Sequence, residues 1–98
     1  MSRPSDIAEA LRVLAPRIPR HEFESVLDHA LASPGLRSAL PETAAWLSLV
    51  AYARHMFTDY DELLRSDYDQ DSARFFVRDE LAAVLQEWGV RRPLSEDD

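Results

Sequence analysis

Pro41-Glu42-Thr43-Ala44-Ala45-Trp46-Leu47-Ser48-Leu49-Val50-Ala51-Tyr52-Ala53-Arg54-His55-Met56-Phe57 is the stretch that decides the fold. Between Ala44 and Ala53 only Ser48 interrupts the apolar character. Wound as a helix, Ala44, Trp46, Leu47, Leu49, Val50, Ala51, Tyr52, Ala53, Met56 and Phe57 cover nearly its whole circumference. A helix without a polar face belongs at a centre, packed from several sides. Pro41 suits its first turn, where the missing N–H costs nothing. The apolar run is about half the roughly 20 residues that span a bilayer, so it predicts a core helix and no membrane crossing.

Working outward, prolines mark the joints. A first helix is expected over Asp6–Ala15, capped by Ser5, with Ile7, Leu11 and Leu14 on one face. Pro16 and Pro19 end it. A second helix over Arg20–Ala32 carries the stripe Phe23, Val26, Leu27, Ala30 and Leu31, and Ser33-Pro34-Gly35 stops it. Beyond the central helix, a short helix is expected over Asp59–Arg65 and a long one over Asp71–Trp88. The stripe Ala73, Val77, Leu81, Val84, Leu85 and Trp88 is the cleanest periodic signal in the chain, and Gly89 follows where helices end. No alternating strand pattern occurs. The expectation is an all-α protein: a compact bundle of about five helices forming one domain over 1–89, followed by a mobile, charged tail over 90–98.

Composition narrows the chemistry. There is no cysteine, which removes disulfides, thiolate metal sites and a cysteine nucleophile, and fits a cytoplasmic protein. The N-terminal stretch has no long apolar segment behind its arginine and is not a secretory signal. All eleven basic residues are arginine, against eighteen acids. The net charge of −7 argues against non-specific binding to a phosphate backbone. Arg3, Arg12, Arg17 and Arg20 form a sparse basic N-terminal region without interleaved aromatic residues. Arg91 and Arg92 add a second basic pair.

The most distinctive polar segment is Arg54 to Asp61. A structural reading explains it as a corner between helices. Thr58 caps the short helix with Asp61 completing a capping box, while Arg54 and His55 suit the negative end of the helix before. A chemical reading makes it a site. Arg54 clamps an anion, His55 titrates near neutral pH, and Asp59 or Asp61 orients it. No serine or cysteine elbow accompanies it, so no catalytic residue is assigned. Asp67 to Asp71 starts like a calcium loop, but Ser72 and Arg78 stand where glycine and a bidentate glutamate are required. His21, His29 and His55 have no metal-ligand spacing. No metal and no cofactor is expected.

The pattern Arg54-His55-x-x-Thr58-x-Tyr60-Asp61-x-Leu63-Leu64, then Ala73-Arg74, then Trp88, resembles the DUF2293 family of unknown function. The His29-Ala30 pair upstream is similar too, and the resemblance spans roughly His21 to Trp88. It implies a helical domain and carries no activity to transfer. It also implies that Arg54, His55, Thr58, Tyr60, Asp61 and Arg74 act as one unit. In the family pattern a glycine follows the paired leucines, and here the loop has Asp67 instead.

The residues point first to a non-enzymatic helical module that binds an unknown protein partner or itself. The alternative is a nucleic-acid-associated domain. A third possibility is a hydrolase-like enzyme using Arg54, His55 and Asp61. For the polar unit the expectation is a buried or half-buried hydrogen-bonded network of Arg54, Tyr60, Asp61 and Arg74 locking the third, fourth and fifth helices together.

Overall fold

The apolar stretch 41–57 packs against every other helix of the chain. In the computed structural model, which describes residues 2–98, α1 spans Arg3–Leu14, α2 Arg20–Ala32, α3 Pro41–Phe57, α4 Tyr60–Arg65 and α5 Gln70–Glu87. A single 3-10 turn, Pro34–Leu36, bridges α2 and α3, and the described residues contain no strand. The protein is all-α. The five expected helices form, and α2 and α3 have the expected ends.

Burial follows the helical period. Ile7 and Leu11 of α1, Val26 and Ala30 of α2, and Ala44, Ala45, Trp46, Leu49, Val50 and Ala53 of α3 share one core with Leu81, Leu85 and Trp88. Full burial of each large aliphatic side chain contributes about 1.5–3 kcal/mol. The α3 surface is not sealed all round, however. Leu47, Met56 and Phe57 are exposed, because four neighbouring helices cannot enclose a helix completely in so short a chain. Trp88 packs edge-on to Phe57, with ring centroids 5.5 Å apart. Both tryptophans are core anchors, as their stripes predict.

Local chemistry moves some boundaries. α1 begins earlier than expected, because Ser2 rather than Ser5 is its cap: the Ser5 N–H donates to the Ser2 hydroxyl at 3.3 Å. The added turn lets Arg3 donate to the carbonyls of Leu36 and Ala39 at 2.7 and 2.8 Å, tying α1 to the loop before α3. Asp69 caps α5 by accepting from the Ser72 N–H at 2.7 Å, and that bond holds its carboxyl below the ordinary range. Both α4 and α5 end in a left-handed turn. After α4, the N–H groups of Asp67 and Tyr68 reach back to Leu64 and Leu63, and Asp67 adopts φ 72°. After α5, Gly89 and Val90 reach back to Gln86 and Leu85, with Gly89 at φ 88°. A Cβ at Gly89 would sit 2.9 Å from Pro16 Cγ, so this turn needs glycine on two counts.

Residues 90–98, expected to be a free tail, fold back on the bundle. Val90 is buried and Leu94 packs against the core. Arg78 donates to the Leu94 carbonyl at 2.8 Å, and the Trp46 indole donates to the Asp98 carboxylate at 2.9 Å. The charged composition of this segment concealed two apolar anchors and a carboxylate with a waiting donor.

Candidate functional site

The six polar residues of the sequence pattern split into two groups on either side of α3. Arg54 and His55 are consecutive, so the helix turns their side chains about 100° apart. His55 lies on the solvent side and pairs through Nδ1 with Asp61 Oδ2, which α4 brings back to it. Arg54 points inward and is 7% exposed. Its guanidinium lies over the Tyr60 ring, 5.4 Å from the centroid.

Thr58 makes the corner between the two helices. Its hydroxyl donates to the Arg54 carbonyl and accepts from the Tyr60 N–H at 3.2 Å. It therefore closes α3 and opens α4 at once. The expected capping box does not form, because Asp61 is turned toward His55.

The expected lock of Arg54, Tyr60, Asp61 and Arg74 is not what forms. Tyr60 meets Arg54 through its ring face. Asp61 pairs with His55, and among the described residues no carboxylate lies within ion-pair distance of Arg54 or Arg74. The Nε atoms of both arginines are buried without a hydrogen-bond partner. Burial, reinforced by the neighbouring charge of Arg74, holds Arg54 below its ordinary pKa, against the opposing effects of Tyr60 and Asp98. Two like charges thus neighbour each other in a partly dry place, and neither has a directly paired carboxylate. Left unpaired, buried charges are destabilising, so such an arrangement calls for a reason.

That place is a cleft of about 580 Å³ between α5, the end of α3 and the returning tail. Arg54, Arg74 and Arg78 supply its positive side, and Phe75, Leu81 and Leu94 its apolar surface. Asp71, Glu96, Asp97 and Asp98 stand around it. His55 and Asp61 lie outside, so Arg54, His55 and Asp61 do not converge on one reacting centre. Arg78 is the residue that the sequence pattern missed. The signal was present: Arg74, Arg78 and Leu81 follow at four and three residues along α5, on one edge of its apolar stripe.

Most other arginines are engaged elsewhere. Arg12 pairs with Glu9, Arg20 with Glu24 and Arg65 with Glu62. Arg17 donates to the Gln86 carbonyl at 3.1 Å, and Arg92 stacks over Trp46, 4.2 Å from the ring. None of the N-terminal arginines lines the cleft. Among the described residues there is no group of three or more His, Asp or Glu side chains placed to hold a metal ion. No helix among them is long and apolar enough to cross a membrane.

No curated protein and no solved structure matches the chain. A family model described as an uncharacterized conserved protein, DUF2293, matches residues 10–89, which takes in α2 through α5 and all six polar residues of the pattern, and the chain belongs to that family.

Proposed function

We propose that the domain is a non-enzymatic interaction module that holds an anionic group of a partner protein in the cleft lined by Arg54, Arg74 and Arg78. One observation carries this: Arg54 is buried beside Arg74 with its Nε unpartnered. A guanidinium offers a planar fork of donors that fits carboxylate and phosphate oxygens, and a partly desolvated fork gains most from an incoming anion. The cost of keeping the charge in the free protein is recovered on binding.

A protein partner is favoured over nucleic acid. The net charge is −7, which opposes a long, continuous phosphate backbone more than it opposes a short acidic segment. An isolated acidic segment, by contrast, needs only the local arginines. The experiment is a fluorescence-anisotropy titration with a labelled hexaglutamate peptide and, separately, a short single-stranded oligonucleotide. The peptide should bind wild type, and binding should be lost in Arg54→Met and Arg74→Gln. Absence of peptide binding overturns the proposal. Tight oligonucleotide binding that persists at physiological salt and depends on the same arginines replaces it with the nucleic-acid alternative.

A further inference from the structure

We infer that the ligand of the arginine cleft is an acidic peptide strand, and that the chain's own Leu94–Asp98 lies along part of that ligand's track. This rests on the anionic-partner proposal above and specifies its ligand. Arg78 already reads main chain: its Nη2 donates to the Leu94 carbonyl at 2.8 Å, and its Nη1 approaches the Ser95 carbonyl at 3.5 Å. The Trp46 indole N–H already donates to the carboxylate of Asp98, at the far end of the segment, at 2.9 Å. Burial pushes the Asp98 carboxyl up, but the Ser95 N–H, the indole, the Ser95 hydroxyl and the charge of Arg92 together outweigh it and hold it below the ordinary range.

Between these two anchors the fit is incomplete. Glu96 and Asp97 stand at the cleft yet form no ion pair with its arginines. Arg54 and Arg74 line the same cleft, and the Nε–H of each is buried without a partner. The segment satisfies the rim and leaves the floor. An acidic strand whose carboxylates reach the floor satisfies both, and Phe75 at the edge offers it an apolar contact. A free phosphate matches the charge but has no main chain for Arg78 to read. In the meantime Glu96 and Asp97 oppose any incoming anion, so the segment competes in cis for its own site.

The test compares wild type with the double variant Glu96→Gln, Asp97→Asn, in which only exposed side chains change. Each is titrated at low salt with hexaglutamate and with inorganic phosphate, while the Trp46 indole N–H is followed by NMR. The variant should bind the peptide about fivefold more tightly, the size expected for removing two exposed charges. The peptide should bind more tightly than phosphate in both proteins, and the indole signal should shift as Asp98 is displaced. Equal peptide affinity in the two proteins, with binding still dependent on Arg54, overturns the cis competition and leaves the proposed function standing. Phosphate binding as tightly as peptide overturns the peptide ligand. Failure of both proteins to bind the peptide overturns this inference together with the proposed function.

Discussion

The indole Nε1 of Trp46 donates a hydrogen bond to the carboxylate of Asp98 across 2.9 Å of space and fifty-two residues of sequence. A buried indole needs an acceptor, and no residue of its own helix supplies one. The acidic end of the chain does, and in doing so it draws residues 94–98 over the cleft. Arg92 stacks over the same ring, 4.2 Å from its centroid. Trp46 is thus both a core residue and the anchor of the returning segment.

This anchor should respond to acid. The Asp98 carboxyl lies below its ordinary value of 3.8 in the folded protein. A depressed carboxyl pKa stabilises the docked form above the unfolded value, and that contribution disappears as pH falls through the folded one. Trp46 emission should therefore be constant from about pH 5 to pH 8 and change only below about pH 4, where carboxylates titrate. In Asp98→Asn the acid-induced change should be absent. A change centred near pH 6 would assign the titration to a histidine instead.

The two halves of the polar pattern should behave oppositely on substitution. Arg54→Met replaces a buried, unpaired charge with a flexible apolar side chain of similar length. It should leave stability unchanged or raise it by about 1 kcal/mol in urea melts, because removing an uncompensated buried charge relieves its desolvation cost. Asp61→Ala breaks only the exposed pair with His55 and should cost less than about 1 kcal/mol. A loss of several kcal/mol in Arg54→Met would mean that the guanidinium holds the helices together.

The two left-handed turns offer a matched pair of tests. Gly89→Ala places a Cβ at positive φ and against the rigid Pro16 ring, and should cost about 1–3 kcal/mol. Asp67→Gly relieves the same backbone conformation after α4 and should stabilise by about 0.5–1 kcal/mol. Thermal midpoints moving in opposite directions would confirm both turns. A destabilised Asp67→Gly would show that the aspartate side chain holds the loop.

Ser48 is fully buried in α3, and its hydroxyl has no hydrogen-bond partner. Ser48→Ala should raise stability by about 1 kcal/mol, since it removes an unsatisfied polar group and improves helix propensity. A lower denaturation midpoint would reveal a bond that the hydroxyl makes in solution.

Much of the fold was legible because its signals are local. The α5 stripe from Ala73 to Trp88, the apolar run of α3 and Gly89 at a helix end each state their conformation within a few residues. The start of α1 was less legible, because Ser2 and Ser5 are equivalent caps by sequence and only the reach of Arg3 to Leu36 and Ala39 separates them. The polar pattern was legible as a set of residues but not as a geometry. Whether Asp61 faces Arg54 or His55 depends on how α4 leaves the corner at Thr58, a choice made by packing.

By itself the sequence determined five helices, their order and a central α3, because propensity, capping and the 3.6-residue period act over one or two turns. It also placed the pattern residues on named helices. Only the tertiary structure decided that His55 and Asp61 pair at the surface while Arg54 turns inward to Arg74 and Arg78, and that residues 90–98 close over them. Those relations join positions far apart in the chain. They follow from which helix ends meet in space, and no periodicity along the sequence encodes that.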